Sequence, residues 1–166
     1  MNLSRPVLAI LSVCTTFVVQ AQSVTVSSTD FSPVVVYRSV EIKAVARATD
    51  NMLVHLAATK HKQTGAVVWA VVMQGEYSGN WRFYESVSLV GGKLIPAPGA
   101  VRQVAGCYGG SCSLLESAKV HLDADDVRAG LADGLKIRWN PQSLVGSFEV
   151  VLPASHFAEL AEALAR

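Results

Sequence analysis

Charge is scarce in this sequence. Only 16% of its 166 residues are charged, and 14 basic side chains nearly balance 13 acidic ones. Proteins that bind nucleic acids through the phosphates carry a clear excess of Lys and Arg, so the composition argues against a nucleic-acid partner. By contrast, 51% of the residues are apolar. This fraction is too high for a disordered chain and is enough for the core of one ordinary domain.

The motifs of the common enzyme and metal-binding classes are also missing. The chain has no HExxH motif, no GxSxG motif, no phosphate-binding loop and no dinucleotide-binding fingerprint. No two of its four histidines have the i, i+2 spacing that places metal ligands on one face of a strand. These histidines are His55, His61, His121 and His156. We therefore predict neither a metal site nor a cofactor.

Long apolar runs are missing beyond the N-terminal region. No later segment reaches the ~18 consecutive apolar residues that a membrane-spanning helix requires. The N-terminal region, residues 1–21, has one basic residue, Arg5, followed by a mostly apolar run over 6–19 and then Gln-Ala. This form is typical of a secretory signal peptide. We predict cleavage after Ala21, which leaves residues 22–166 as one exported domain, periplasmic or secreted.

Cysteine occurs only three times, and the first of these residues lies inside the predicted signal peptide. The stretch Leu-Ser-Val-Cys that ends at Cys14 resembles the box before the lipid-modified cysteine of bacterial lipoproteins. Val13 stands where that box normally has a small residue. A lipid anchor at Cys14 is therefore an alternative, and we favour the unlipidated protein.

Two cysteines, Cys107 and Cys112, remain in the predicted exported domain. An even number of cysteines in an exported chain favours a disulfide. Two glycines between them fit a four-residue hairpin loop that places the cysteines opposite each other. The alternative is a redox pair, but thiol oxidoreductases usually carry CxxC at the start of a helix. We predict a structural disulfide.

Apolar residues recur with a period of two along most of the chain, which is the pattern of half-buried strands. Examples are residues 40–46, 52–58 and 81–89. Two segments instead favour helices: a short one near 123–132, which begins with capping aspartates, and an amphipathic one at the C-terminus, after Pro153. We predict a mainly β, single-domain antiparallel β-sandwich with eight or nine strands.

The alternation around Trp81 predicts a small binding face. Trp81 and Phe83 are expected to point into the core, which places Arg82 and Tyr84 on the opposite, outward side. Arg and Tyr are common at protein interfaces. We therefore predict that Arg82 and Tyr84 form an exposed contact site.

Two carboxylates fall on predicted apolar faces: Glu85 shares a face with Trp81, and Glu116 shares one with Leu114. A buried carboxylate requires a partner, and Arg102, Arg82 or Arg138 could supply it in a buried ion pair with either glutamate. One alternative is a bulge that turns a glutamate outward. Another is a cleft in which Glu85 and Glu116 act as acid and base in sugar hydrolysis.

Several short stretches resemble a group of small exported proteobacterial envelope proteins and lipoproteins. They are Tyr-Ser-Gly-Asn-Trp-Arg-Phe-Tyr at 77–84, Arg102, the cysteine pair at 107–112, Glu116, Val-His-Leu at 120–122, Gly-Leu-Lys-Ile-Arg at 134–138 and Leu-Pro-Ala at 152–154. The resemblance covers about residues 77 to 154. It implies an envelope location and a one-domain β fold, and it carries over no catalytic residue.

These patterns together indicate a non-enzymatic exported envelope protein. We expect a binding or structural module whose partner is a protein or an envelope component. The alternatives are a small envelope hydrolase that uses Glu85 and Glu116, and an inhibitor of an exported enzyme. A cleft in which ionisable groups converge would favour the hydrolase.

Overall fold

The computed structural model describes residues 24–142 and 146–166. In chain order its elements are β1 (Thr25–Ser27), β2 (Val34–Arg38), β3 (Ile42–Ala44), β4 (Asn51–His61), β5 (Val67–Ser78), β6 (Tyr84–Leu89), β7 (Leu94–Pro96), β8 (Val101–Tyr108), β9 (Ser111–Leu122), α1 (Ala124–Asp133), β10 (Leu135–Pro141), β11 (Phe148–Leu152) and α2 (Ala154–Ala165). The predicted signal peptide and Cys14 lie outside the described residues.

The strands form two antiparallel sheets. The large sheet has the order β1-β2-β4-β5-β9-β8, with β3 also pairing with β4, and the small sheet has the order β11-β10-β6-β7. The prediction of a mainly β, sandwich-like fold with two helices is thereby confirmed. The described residues contain eleven strands, more than the eight or nine predicted.

The core lies between the two sheets. Alternate side chains of the central strands are fully buried there, such as Leu56, Val71 and Val120 from the large sheet and Ile137 and Trp139 from the small sheet. Each such apolar side chain contributes about 1.5–3 kcal/mol when it leaves water. This burial fixes the register of β4, β5 and β9, since a slip by one residue would turn each apolar set outward.

Helix α1 begins where the sequence predicts, because Asp123 caps it. The Asp123 carboxylate accepts hydrogen bonds from the backbone N–H groups of Asp125 and Asp126. Lys93 Nζ lies 2.6 Å from Asp123 and 2.7 Å from Asp126. The hydrogen bond from Lys93, together with the backbone N–H of Asp126, lowers the pKa of Asp123 to about 2.

Gly130 lies inside this helix. The helix ends before Gly134, whose φ of 77° is left-handed. Gly130 instead allows α2 to approach, because an added Cβ would lie 2.4 Å from the ring of Phe157. Phe157 in turn stacks on Trp69 of the large sheet, with the ring centroids 6.2 Å apart. The two helices are thus joined to each other and to the large sheet.

Strands β8 and β9 form a long hairpin at one edge of the large sheet. A two-residue turn joins them, Gly109–Gly110, and both glycines have positive φ angles, 58° and 80°. Positive φ at both central positions is what the tightest hairpin turns require. The strands therefore extend one residue further on each side than the predicted four-residue loop. Cys107 and Cys112 form a disulfide across the hairpin, with a Cα–Cα distance of 4.0 Å.

No helix within the described ranges is long and apolar enough to cross a membrane.

Candidate functional site

The chain passes from the large sheet to the small one through residues 79–83, which we call the crossover segment. The prediction that Arg82 and Tyr84 form an exposed face is wrong, since their exposed fractions are 4% and 0%. Phe83 has a φ of 56°, which interrupts the extended backbone. Strand β6 begins only at Tyr84, so side-chain alternation does not run through from Trp81.

Arg82 is held by a buried carboxylate. Its two terminal nitrogens each lie 2.7 Å from one oxygen of Asp50, which is the bidentate geometry that arginine favours. The guanidinium also lies over the ring of Tyr77, 4.2 Å from its centroid. Burial alone would lower the pKa of Arg82, but the hydrogen bonds to Asp50 and Tyr84 raise it above its ordinary value. Arg82 therefore stays charged inside the protein.

Glu116 is the second buried carboxylate. It accepts hydrogen bonds from the Tyr77 hydroxyl, from the backbone N–H of Tyr84 at 3.0 Å and from Arg102 Nε at 2.9 Å. Burial, and then the bond to Glu116, raise the pKa of the Tyr77 hydroxyl well above its usual range. Glu116 thus acts as an acceptor for three donors from three different parts of the chain.

Arg102 lies between the two glutamates that the sequence singled out. Its Nη2 is 3.9 Å from Glu85, on the other side from Glu116, and its guanidinium covers the ring of Phe83 at 4.6 Å. The prediction of an inward Glu85 is wrong, because its side chain is about half exposed. The register between β6 and β10 shifts at Glu85, which forms a β-bulge. The bulge turns the Glu85 carboxylate outward, where it accepts a hydrogen bond from Gln142.

We call these six side chains the buried polar cluster. They are Asp50, Tyr77, Arg82, Tyr84, Arg102 and Glu116. Asp50 directly precedes β4, and the others come from β5, from the crossover segment and from β6, β8 and β9. The buried polar cluster therefore fastens the crossover segment to both sheets.

Two members of this cluster were missed from the sequence. Asp50 lies 32 residues from its partner Arg82, and no local pattern connects the two. Tyr77 is likewise not predicted to have a role. The signal that could have placed it was available, because Tyr77 continues the alternating series of Val71, Met73 and Gly75.

A cleft of about 340 Å³ lies beside the buried polar cluster, lined by residues 96–100 together with Glu85 and Arg102. Only one of the two candidate carboxylates, Glu85, is accessible from it, since Glu116 is 1% exposed. Arg102 lies between this cleft and Glu116. The cleft therefore offers one carboxylate and one guanidinium instead of an acid–base pair of carboxylates.

A second candidate site is the end of the β8–β9 hairpin, residues 107–112, which we call the hairpin tip. Tyr108 is 95% exposed there. Beside it lies an open groove of about 460 Å³ that includes Glu76 and Gly106. The disulfide and the two-residue turn fix the backbone on both sides of Tyr108. The hairpin tip thus presents one aromatic ring on a rigid support.

Metal-binding geometry is not found in the part of the chain that the structure describes: no group of three or more His, Cys, Asp or Glu side chains could hold an ion. His55 and His156 are each buried, and in each ring Nδ1 has no hydrogen-bond partner among the described residues. Burial, aided by Arg38, lowers the pKa of His55, and burial lowers that of His156. Burial therefore favours the neutral form of both rings.

Comparison with protein-family models, with curated proteins and with solved structures found no match. The resemblance to exported proteobacterial envelope proteins therefore stays a prediction. The coordinates define a class by architecture: a mainly β protein of two antiparallel sheets, with a buried polar cluster between them and a disulfide-closed hairpin at one edge.

Proposed function

We propose that this chain is a non-enzymatic binding module of the cell envelope. In this proposal it contacts a partner protein or an envelope component through the hairpin tip. The observation that carries the proposal is Tyr108, which is 95% exposed on a turn closed by the Cys107–Cys112 disulfide.

The physical case for the hairpin tip is its rigidity. Binding costs free energy whenever a loop or a side chain must be ordered. A backbone that is already fixed by a disulfide and a two-residue turn avoids much of that cost. Tyrosine is enriched at interfaces because its ring combines a large apolar area with a hydroxyl group. Residues 107–112 carry no charged side chain, so recognition would rest on aromatic and backbone contacts.

Export to an oxidising compartment is part of the same proposal. Disulfides persist outside the reducing cytosol, and the pair at Cys107 and Cys112 fits that setting. The signal-like residues 1–21 point in the same direction. A periplasmic or secreted location is therefore the one that we propose.

The burial and the hydrogen bonds of Glu116 support the non-enzymatic part of this proposal. A general acid or a nucleophile needs access to substrate and a side chain that is free to exchange a proton. Glu116 is buried and accepts three hydrogen bonds. Its geometry suits a structural anchor.

The hydrolase alternative rests on one observation, the position of Arg102 between Glu85 and Glu116 beside an open cleft. It is tested by assaying the purified protein on cell-wall sugar and ester substrates. Turnover that is lost in a folded Glu85→Gln protein would establish the hydrolase and overturn the non-enzymatic proposal. The inhibitor alternative is a special case of binding by the hairpin tip, and it predicts inhibition of an exported enzyme that Tyr108→Ala abolishes.

Site-specific photo-crosslinking tests the binding proposal directly. A photoreactive aromatic residue is placed at position 108 and, as a matched control, at position 31. Phe31 is also fully exposed, but it lies in the loop between β1 and β2, at the opposite edge of the large sheet from β8. We expect one defined adduct from position 108 in intact cells and none from position 31. Equal labelling at both positions, or at neither, would remove the hairpin tip as the contact site.

A further inference from the structure

Strand β8 is the longest edge strand among the described residues. Natural proteins shorten exposed edges or protect them with proline or charge, because an open edge can pair with another chain. Among the described strands, β1 and β7 are edges of three residues each, and β7 contains Pro96. The edge strand β11 has five residues and carries Glu149, paired with Lys136. Strand β8 has eight residues and contains neither proline nor lysine.

The exposed side chains of β8 are uncharged. Val101 and Val104 are exposed on it. Its one charged residue, Arg102, is turned onto Glu116 and Phe83. Within residues 24–142 and 146–166, the outer side of β8 therefore combines backbone groups that no strand pairs with and apolar side chains.

We infer that β8 pairs antiparallel with β8 of a second copy of this chain, which joins two large sheets into one continuous sheet. A two-fold axis between the copies would place the N–H groups of one strand opposite the C=O groups of the other, so both open edges are closed at once. Val101 and Val104 lie on opposite faces of β8, so on each face of the joined sheet one of these valines would be covered in part by the strand of the other copy.

A second copy suits this edge because of its charge. Across a two-fold axis each strand meets its own sequence, so a charged edge would repel itself. Strand β8 limits that repulsion because its one cation, Arg102, is paired with the buried carboxylate of Glu116. Its exposed side chains Val101, Gln103 and Val104 are uncharged.

The bulge in β8 sets the extent of this pairing. The register with β9 shifts between Val104 and Gly106, so the regular part of the edge is Val101–Val104. That segment contains both exposed valines. Tyr108 lies beyond the bulge, so the hairpin tip stays free, and the inference does not depend on the proposed function.

The test is the oligomeric state of the exported protein and two matched variants. Val104→Lys places a charge on the β8 edge, and Val151→Lys does the same on β11, where the valine is equally exposed, 57% against 55%. Sedimentation over a wide concentration range should give a dimer for the wild type and for Val151→Lys. We expect the dimer dissociation constant of Val104→Lys to rise about tenfold or more. Val101→Lys should act like Val104→Lys, which guards against a folding defect in one variant.

Hydrogen exchange locates the interface. Amides in residues 101–104 should exchange more slowly as the protein concentration rises, and those of β11 should not change. A protein that is monomeric at every concentration would overturn the inference. So would a dimer that survives both β8 substitutions, or one whose protection lies on another strand. The crosslinking experiment at position 108 is independent of this test, so a monomeric protein would leave the hairpin-tip proposal in place.

Discussion

Arg82 illustrates at the scale of one residue how a buried charge depends on its partner. The Asp50–Arg82 pair is almost fully buried, with both contacts at 2.7 Å. Removing one member leaves the other charge unpaired in the interior, which costs far more than the loss of an exposed pair.

The first prediction follows from this burial. Arg82→Ala should lower the free energy of unfolding by about 3 kcal/mol or more, measured by urea denaturation. Arg128→Ala is the control, because Arg128 pairs with Asp125 on the surface and its loss should cost less than about 1 kcal/mol. Equal small effects in both variants would contradict the buried role of Arg82.

The buried histidines give the second prediction, which concerns pH. An unfolded histidine has a pKa near 6.5, and burial lowers the pKa of His55 and His156 in the folded protein. The unfolded chain then binds more protons, so stability is complete above about pH 6.5 and is lost as the pH falls below it. The melting temperature should therefore decrease on acidification to about pH 5.

Substitution of these histidines checks the cause. The loss of melting temperature should be smaller in the double variant His55→Gln/His156→Gln than in the wild type. His121→Gln is the control, because His121 is exposed. An unchanged pH profile in the double variant would assign the acid sensitivity to other groups.

At the scale of elements, the contact between α1 and α2 reverses an ordinary expectation about glycine. Ala favours a helix over Gly by about 1 kcal/mol. At Gly130, however, an added Cβ would lie 2.4 Å from the ring of Phe157. The tertiary contact therefore opposes the local preference.

The third prediction is that Gly130→Ala destabilises the protein by about 1–3 kcal/mol, since overpacking of a tight contact costs that much. Thermal or urea unfolding measures it. Phe157→Leu in the same chain should recover part of the loss, because the smaller side chain leaves room for the methyl group. A Gly130→Ala protein that is more stable than the wild type would show that α2 simply moves away.

The disulfide provides the fourth prediction. Closing a loop of six residues restricts the unfolded chain and contributes about 2 kcal/mol. Replacement of Cys107 and Cys112 by Ser should therefore lower the stability by about 1–3 kcal/mol while the sheets remain intact. Thiol titration of the exported wild-type protein should find no free thiol at these positions, and a free pair would exclude the structural disulfide.

Some elements could be read from the sequence and others could not. Strands β4, β5 and β9 carry long alternating or apolar runs, and Asp123 marks the start of α1. Strand β2, Val34–Arg38, was not predicted. All but one of its residues are partly buried, so no alternation marks it, and only pairing with β4 defines it as a strand.

At the scale of the whole molecule, the fifth prediction concerns export. We expect the exported protein to begin at Gln22 and to carry no lipid, because Val13 is unusual before a lipid-modified cysteine and the sequence up to Ala21 fits signal-peptide cleavage. Intact mass spectrometry of the exported protein measures both properties. A diacylated species that begins at Cys14 would show a membrane-anchored protein instead.

Local sequence patterns were enough for the features that depend on neighbouring residues: the mainly β class, the cap of α1, the amphipathic C-terminal helix and a cysteine pair spaced for a hairpin. These follow from local periodicity and turn chemistry, which act over a few residues. The sequence also marked Glu116 and Arg102 as candidates for an ion pair, because a carboxylate on an apolar face needs a partner.

Which side chains face inward at the crossover segment depends instead on the packing of the two sheets. The positive φ of Phe83 and the bulge at Glu85 reverse the alternation there, so Arg82 and Tyr84 turn inward and Glu85 turns outward. The partner that holds Arg82 is Asp50, a residue distant in the chain. Such pairings are set by how the sheets stack, because burial and charge compensation act between residues that only the fold brings together.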